Sequence, residues 1–327
     1  MGGRLDPQVA TARTLVRICL ADIEPGETVL VAVSGGADSL ALAAAAAFVC
    51  ESQGVQVGAV LVDHGLQSGS SQVAARAGRQ VTGLGLDPVE VVAVDVGSTG
   101  GPEAAARSAR YAALSAAAER HNARAVLLGH TLDDQAETVL LGLARGSGPR
   151  SLAGMTPLDG LYRRPLLAMS RAQTERVCVA GGLDWWQDPH NRDGAYARVR
   201  VRQEALPALE QALGPGVAEA LARTASLVRD DVDLLDQLAD DAWGGIWSGD
   251  GLAVRPLALL PRALRTRIIR RAALESGTPP TDLAAVHIGE VERLVTDWHG
   301  QQRIELPGGV VAVRRGDTLS IGRSVAG

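Results

Sequence analysis

The chain has 327 residues, of which 46% are hydrophobic and 21% charged, with a formal net charge of −5. This composition is that of a globular protein long enough for one large domain and a smaller one. The longest apolar run, residues 40–50, is too short to cross a bilayer, and the amino terminus lacks the layout of a secretory signal. The three cysteines form no CxxC pair, which argues against disulfides and a cysteine zinc site. We expect a cytoplasmic protein without a membrane partner.

The basic residues are unusual, because all 32 are arginines. A genomic preference for arginine codons is the simplest explanation, but the chemical consequence holds whatever the cause. No lysine can serve as a nucleophile or bind a phosphate, so phosphate charge must be met by arginine, backbone amides or a metal ion. Arginines outnumber acids in 145–207 (10 to 6) and in 255–327 (11 to 7). Basic stretches in an acidic chain suit contact with a polyanion, although solvated helix faces have the same composition.

In the first half of the chain, apolar segments typical of strands alternate with helical ones. The predicted strands are 28–33, 55–62, 89–95 and 124–129. This alternation predicts an α/β fold with a mostly parallel, doubly wound sheet. Ligands of such sheets bind beyond the carboxyl ends of the strands. The segment SGGADS, Asp63-His64 and His130-Thr131 all follow predicted strands, which indicates a site at that edge.

After residue 145 the alternation weakens. The sequence predicts a loop at 145–154, a short strand at 163–167 and a helix at 170–182. From about Pro207 helices dominate, at 216–242, 256–276 and 282–298, and 304–322 has the pattern of a β-hairpin. A GPG segment and a change of charge coincide near 205–215. We therefore predict a larger α/β domain over 1–207 and a smaller, mainly helical domain over 208–327 that ends in a short hairpin.

The first chemical motif is the turn after the first predicted strand, Ser34-Gly35-Gly36-Ala37-Asp38-Ser39. Its glycines allow backbone N–H groups to approach an oxyanion, and the following helix adds its positive end. Both serine hydroxyls can donate to phosphate oxygens. Asp38 would repel bare phosphate, so it implies a Mg²⁺ bridge or a nearby amine. The alternative is an ordinary strand-to-helix turn in which Asp38 caps the helix.

The second motif lies in the segment GHTLDDQAET, residues 129–138. On a helix, His130, Asp133, Asp134 and Glu137 share one face. The carboxylates repel each other there, and a metal ion or a cationic substrate would offset this. A capping box from Thr131 to Asp134 is the alternative, but it explains only one or two of the acids.

A third cluster lies on the predicted helix at 102–121 and contains Glu103, Arg107, Arg110 and Tyr111. Glu103 and Arg107 have the spacing of a surface ion pair, which is the simplest interpretation. In a chain without lysine, Arg107 and Arg110 are also candidates for neutralising a triphosphate.

In chain order, a set of motifs resembles the signatures of the tRNA(Ile)-lysidine synthases, which are N-type ATP pyrophosphatases of the PP-loop superfamily. The motifs are SGGADS, VDHGL (62–66), EAAARSARY (103–111), GHTLDDQAET, RGSG (145–148), RRPLL and DPHNRDGAYARVRVR (188–202). SGGxDS alone marks the superfamily, and the acidic and arginine-rich segments narrow it. The resemblance covers about residues 28–207. Two features depart from it: Thr131 stands where the family often has a second histidine, and the chain has one small carboxyl-terminal domain where some members carry two.

The resemblance implies a two-step reaction. O2 of the wobble cytidine of a CAU-anticodon tRNA(Ile) attacks the α-phosphate of ATP, and free L-lysine then displaces AMP from C2 to give lysidine. It implies a catalytic PP-loop ATP pyrophosphatase domain over 1–207, with tRNA binding over 208–327.

The residues expected to carry this reaction fall into four groups. We expect ATP to be bound by Ser34, Gly35, Gly36, Ala37, Asp38, Ser39, Asp63, Arg107 and Arg110, with Mg²⁺ at Asp38. We expect lysine to be bound by Asp133, Asp134 and Glu137. We expect catalysis by Asp38, His130 and Asp134. Of the carboxylates, Asp134 is the preferred acceptor of the amine proton, and His130 is expected to assist. Arg198, Arg200 and Arg202 are expected to contact tRNA phosphates; they share a face on a strand and spread on a helix. Trp185 or Trp186 could stack on a base, although core packing is the simpler role.

Two other classes of function stay open at the level of sequence. One is another PP-loop tRNA-modifying or small-molecule adenylating enzyme, although thiolases of this kind need cysteine pairs that this chain lacks. The other is a non-catalytic tRNA-binding protein, against which the presence of Asp38, Asp134 and Glu137 together argues. The alanine-rich helix faces leave a homodimer open.

Overall fold

The computed structural model describes residues 5–63, 65, 69–95, 102–146, 148–188, 194–280, 282–300 and 303–323, with the main chain alone for 102–104. Over these ranges, no helix combines the length and the apolar content that a membrane span requires. The chain forms two compact units. The first comprises residues 1–141 and 154–223, and the second comprises 142–153 and 224–327.

A six-stranded sheet organises the first unit. Its strands are β1 (Thr28–Val33), β2 (Gln56–Asp63), β3 (Val89–Ala93), β4 (Ala123–Leu128), β5 (Leu158–Asp159) and β6 (Tyr162–Arg163). They lie in the order β3-β2-β1-β4-β6-β5, and only β5 runs antiparallel to its neighbour. The predicted mostly parallel sheet is therefore confirmed.

Helices precede, connect and follow these strands. They are α1 (Pro7–Cys19), α2 (Ala37–Gln53), α3 (Ser70–Gly83), α4 (Pro102–Arg120), α5 (Leu132–Ala144), α6 (Pro149–Leu152), α7 (Arg171–Ala180), α8 (Ala197–Arg200), α9 (Leu206–Leu213) and α10 (Val217–Ile246). The short helix α6 and most of α10 belong to the second unit. A π-helical turn over Val201–Ala205 joins α8 to α9.

Alternate residues of the central strands pack into two separate cores. Val29 and Val31 of β1 pack in the core that contains α1, α2 and α7. Leu30, between them, packs in the opposite core with Val126 of β4 and Leu114 of α4. Helices thus cover both faces of the sheet, and this explains why the strands are apolar at nearly every position.

The register of the parallel strands fixes where the loops open. Ala32 of β1 pairs with Val60 of β2 on one side and with Leu128 of β4 on the other. The carboxyl ends of β1, β2 and β4 therefore lie at one edge of the sheet. The short strand predicted over 163–167 is wrong beyond Arg163, because a 3-10 turn follows at Pro165–Ala168. Proline has no N–H for a strand ladder, and its ring restricts the residue before it.

The second unit contains a four-stranded antiparallel sheet and helices. Its strands β7 (Leu252–Ala253), β8 (Ile304–Leu306), β9 (Val310–Arg315) and β10 (Thr318–Arg323) lie in the order β7-β10-β9-β8. The accompanying helices are α11 (Val254–Leu259), α12 (Arg262–Glu275) and α13 (Ala285–Thr296). The predicted terminal hairpin is confirmed as β9 and β10, and the sheet is wider than the hairpin alone.

Candidate active site

The turn after β1 is closed by its own serines. Ser34 N and Ser34 Oγ each donate to Ser39 Oγ at 3.2 Å, and Ser39 Oγ donates to the Gly36 carbonyl at 2.9 Å. Gly35 has a φ of 83°, a conformation that favours glycine. Gly36 is the N-cap of α2 and provides no side-chain cap. The first N–H groups of this 17-residue helix therefore face the turn without a capping side chain, an arrangement that binds anions.

Asp38 does not cap α2; its carboxylate is bound to α7. Oδ1 accepts a short hydrogen bond from Thr174 Oγ1, and Oδ2 lies 3.6 Å from Arg171 Nε. Burial raises the pKa of Asp38 to about 6, in opposition to these two partners. The carboxylate is thus oriented by a second element of the fold.

Gly129, the residue after β4, brings the second motif against the first. A Cβ atom at this position would lie 3.0 Å from Ser39 N and 3.1 Å from both the carbonyl carbon and oxygen of Asp38. Because glycine has no side chain, the two motifs pack backbone against backbone.

A cavity of about 480 Å³ opens where β1, β2 and β4 end. The predicted site residues that line it are Ser34, Gly36, Asp38, Ser39, Asp63, Arg110, His130, Asp134, Arg198 and Arg202. Others among the predicted residues lie outside this lining: Gly35, Ala37, Arg107, Asp133, Glu137 and Arg200. The cavity also has an apolar wall that includes Val60, Val62 and Leu128. The structure therefore joins residues from all the predicted motifs at one edge of the sheet.

The two carboxylate oxygens of Asp134 have different partners. Oδ2 accepts hydrogen bonds from Thr131 N at 2.9 Å and Thr131 Oγ1 at 3.0 Å, which confirms the capping alternative for this atom. Oδ1 lies 3.3 Å from Arg171 Nη2 and 3.5 Å from Arg202 Nη2, in the cavity. Burial alone would raise the pKa of Asp134, but Arg171 and the Thr131 hydrogen bonds outweigh it and lower the pKa.

The two other acids of α5 are already paired. Asp133 Oδ2 accepts a hydrogen bond from the Arg171 backbone N–H at 2.7 Å, at the start of α7. Glu137 is fully buried and receives Arg202 Nε at 2.6 Å and Nη2 at 3.1 Å, with Arg198 Nε at 3.7 Å. Burial raises the pKa of Glu137 despite Arg202. The charge of Glu137 is thus balanced by arginine, and the carboxylate of Asp133 is held by a backbone N–H at the start of α7.

The arginines near residue 200 lie on a helix and spread, as the helical alternative predicts. Arg198 and Arg202 point to Glu137 and line the cavity, whereas Arg200 is exposed and donates to the Gly194 and Ala195 carbonyls. Two of the three predicted phosphate contacts are therefore counter-ions of the acidic helix in this structure.

Two buried nitrogen atoms of cavity residues have no partner among the described residues: Arg110 Nε and His130 Nδ1. Burial lowers the pKa of His130 to about 4, so its ring is neutral near pH 7. A ligand in the cavity would satisfy such atoms. Arg107 is instead exposed and donates to the Tyr111 hydroxyl at 3.2 Å. Its predicted pair with Glu103 falls outside the described side chains.

Sequence reasoning missed two residues, Arg171 and Thr174. Ser170 forms a capping box with Gln173, which marks the start of α7 in the sequence. Nothing in that local pattern says that the first turn of α7 faces the turn after β1. Trp186 lines the cavity and its backbone N–H donates to the Gly35 carbonyl at 2.9 Å, whereas Trp185 packs against the core.

The donor set at Asp38 can be compared with the needs of Mg²⁺. Within the described residues, no group of three histidine, cysteine or acidic side chains is placed to hold a metal ion. Magnesium in nucleotide sites uses one or two carboxylates and takes its other ligands from phosphates and water. The single carboxylate of Asp38, beside the anion-binding turn, fits that form.

Comparison with known proteins places these features in a family. A model described as the PP-loop domain matches residues 8–209, and one described as the TilS substrate binding domain matches 252–319. The tRNA(Ile)-lysidine synthase of Streptomyces coelicolor is 60% identical over 297 residues, which cover 90% of this chain and 84% of that protein. The tRNA(Ile)-lysidine synthase of Thermobifida fusca is 56% identical over 303 residues, covering 92% and 94%.

A solved structure agrees in fold. The tRNA thiolase NcsA of Methanococcus maripaludis matches with a TM-score of 0.58 and 19% identity, covering 68% of this chain and 80% of that one. At this identity the likeness concerns the fold alone. The family model and the close relatives carry the assignment further: the chain belongs to the tRNA(Ile)-lysidine synthases.

Proposed function

We propose that the cavity at the ends of β1, β2 and β4 carries out both steps of lysidine synthesis on a tRNA(Ile) with a CAU anticodon. The observation that supports this most is the contact at Gly129, which joins the anion-binding turn to the acidic helix. Adenylation needs a site for phosphate, and amine attack needs an acidic site close to the same base. A shared cavity supplies both within reach of one pyrimidine.

In the first step, ATP binds with its phosphates at the turn. The free N–H groups at the start of α2, with Ser34 and Ser39, donate to phosphate oxygens. Arg110 lines the same cavity, and its buried Nε has no partner among the described residues, which suits a further phosphate contact. Asp63 and the apolar wall from β2 are placed for the nucleoside. The cytidine O2 forms a bond to the α-phosphorus as the bond to pyrophosphate breaks.

Asp38 would hold Mg²⁺ during this step. The ion supplies charge neutralisation to the leaving pyrophosphate when it is bound. Thr174 fixes the orientation of the Asp38 carboxylate, and Asp38 lies directly beside the phosphate-binding groups. This arrangement explains why the turn needs no lysine.

In the second step, the lysine side chain binds beside Asp134, with Glu137 behind it. A free ε-amine is protonated near pH 7, so a proton must leave before the nitrogen attacks. We assign this proton to Asp134, with the neutral His130 ring assisting through its unpartnered nitrogen. The nitrogen then bonds to C2 of the base, and the C2–O bond to AMP breaks.

The tRNA must present the wobble cytosine outside its stack. A single-stranded anticodon loop permits this at low cost. We assign contact with the flanking phosphates to Arg198, which lines the cavity, and to Arg200, which is exposed. The second unit, whose residues 252–319 match a substrate binding domain, is the region we assign to further tRNA contact. A tRNA substrate also favours a cytoplasmic location. The alanine-rich helix faces leave a homodimer open, and light scattering of the purified protein measures its oligomeric state.

Mass analysis of the wobble base tests the proposal. The purified protein is incubated with ATP, labelled L-lysine and a CAU-anticodon tRNA(Ile) transcript, and the expected product is labelled lysidine with release of AMP and pyrophosphate. Reactions without ATP, or with a tRNA(Met) transcript of the same anticodon, serve as controls. Pyrophosphate release that ignores tRNA would indicate a small-molecule adenylating enzyme. Binding of tRNA without any turnover would indicate a non-catalytic module.

A further inference from the structure

One arginine contacts the carboxylates of both chemical motifs. Arg171 is the first residue of α7, and its side chain lines the cavity with 26% of its surface exposed. Its Nε lies 3.6 Å from Asp38 Oδ2. Its Nη2 lies 3.3 Å from Asp134 Oδ1 and 3.9 Å from Glu137 Oε1. The phosphate side and the lysine side of the cavity therefore share one guanidinium.

These contacts are longer than those of a fixed ion pair. Arg202, for comparison, binds Glu137 through two hydrogen bonds of 2.6 and 3.1 Å. The backbone of Arg171, by contrast, is held firmly, because its N–H donates to Asp133 at 2.7 Å. The start of α7 is thus anchored through the backbone, whereas the guanidinium makes one long hydrogen bond, of 3.3 Å to Asp134, beside its two looser ion pairs.

We propose that Arg171 is a positioning residue that couples ATP binding to lysine binding; the proposal rests on the function proposed above. Without substrates, its guanidinium neutralises Asp38 and Asp134. A lysine ammonium that binds at Asp134 must displace this like charge. The phosphates of ATP attract the guanidinium away from Asp134 and so leave that carboxylate to the ammonium. Each substrate then raises the affinity of the other, and by linkage the two effects are equal.

The same placement explains how the site is kept from carrying excess negative charge before substrates arrive. After burial, the negative charge of Asp134 is among the causes that raise the pKa of Asp38. Arg202 Nη2 also lies 3.5 Å from Asp134 Oδ1, but the guanidinium of Arg202 donates its hydrogen bonds to Glu137. Among the residues that the structure describes, Arg171 is the one that forms an ion pair with both Asp38 and Asp134.

The test measures the affinity of a fluorescent ATP analogue, with a methylene group between its α and β phosphorus atoms, in the presence of the tRNA(Ile) transcript. Raising L-lysine to saturation is expected to tighten analogue binding by about fivefold or more. Norleucine, which has the side-chain carbon atoms of lysine and its α-amine but lacks the ε-amine, is expected to leave it unchanged. In Arg171→Gln, the analogue binds more weakly, and lysine changes its affinity by less than about twofold.

Two further variants control for charge and for folding. Arg176→Gln removes the same charge from an exposed position of the same helix and is expected to keep the wild-type response. Arg171→Lys keeps a cation in place and is expected to restore the response; if it behaves like Arg171→Gln, the charge does not carry the coupling. Thermal unfolding of each variant verifies that it is folded.

The inference is overturned if the wild-type protein shows no response to lysine, or if Arg171→Gln shows the full response. Product analysis of the wild type separates this failure from that of the proposed function. A wild type that makes lysidine but shows no coupling refutes the role of Arg171 alone. A wild type that makes no lysidine from tRNA(Ile), ATP and lysine refutes the proposed function itself.

Discussion

The contact at Gly129 gives a quantitative prediction. In Gly129→Ala, the new Cβ would lie 3.0–3.1 Å from backbone atoms of Asp38 and Ser39, where ordinary contacts are 3.4 Å or longer. The turn after β1 must therefore move by a few tenths of an ångström. Overpacking of this kind costs about 1–3 kcal/mol. If that cost falls on the geometry of the turn, tRNA-dependent pyrophosphate release slows by about 10- to 100-fold, since about 1.4 kcal/mol is tenfold in rate.

Gly78→Ala is the matched control for this variant. Gly78 lies in α3, and a Cβ there would meet Val89 Cγ1 at an ordinary 3.8 Å. Alanine in a helix is more favourable than glycine by about 0.5–1 kcal/mol, so this variant should keep its activity and gain stability. The assay measures pyrophosphate release at saturating ATP and tRNA, with urea unfolding of each variant in parallel. A folded Gly129→Ala protein with a rate within about twofold of wild type would refute the close-contact argument.

Four further outcomes are expected. Asp38→Asn should abolish tRNA-dependent pyrophosphate release, and normal release would remove Asp38 from the phosphate site. Glu137→Gln should lower the free energy of unfolding in urea by about 1–3 kcal/mol, because Arg202 loses its buried partner; unchanged stability would contradict this. The depressed pKa of His130 favours its neutral form in the folded state, so the free energy of unfolding should fall as pH drops from about 6.5 towards 4. His130→Asn should show a smaller fall, and an identical pH profile would oppose the assignment. Arg198→Ala should weaken tRNA binding and reduce the magnitude of its salt slope by about one; an identical slope would place Arg198 outside the interface.

The edge of the sheet that carries the site follows from sequence. Strands that are apolar at every position indicate helices on both faces, and parallel strands bring their carboxyl ends together. The fold class therefore places the turn at residues 34–39 and the start of α5 at the same edge, whereas the pairing of β1 with β4 that makes them neighbours is known from the structure. The Thr131–Asp134 cap is also a local pattern, which three-residue spacing reveals.

The partners of each acidic side chain could not be predicted in the same way. Asp133 binds the backbone of α7, and Glu137 binds Arg202, so both partners come from segments that return to the sheet late in the chain. Their positions depend on packing between distant elements, which leaves no local signal. The strand predicted past Arg163 failed for a different reason, because Pro165 removes an N–H that the ladder requires.

The pairing of β1 with β4 has a consequence for how this enzyme tolerates change in length. The two motifs stand on adjacent, hydrogen-bonded strands, so their separation is set by a single strand spacing. The segment from β2 to α4 lies between β1 and β4 in the sequence and takes no part in the pairing of these two strands. Residues added or removed at an outer turn of that segment, such as the one between α3 and β3, leave the spacing intact. Within that turn Leu86 is buried and Asp87 and Pro88 are hydrogen-bonded to β2, so a reporter peptide that keeps both chemical centres in register belongs at the exposed Gly85.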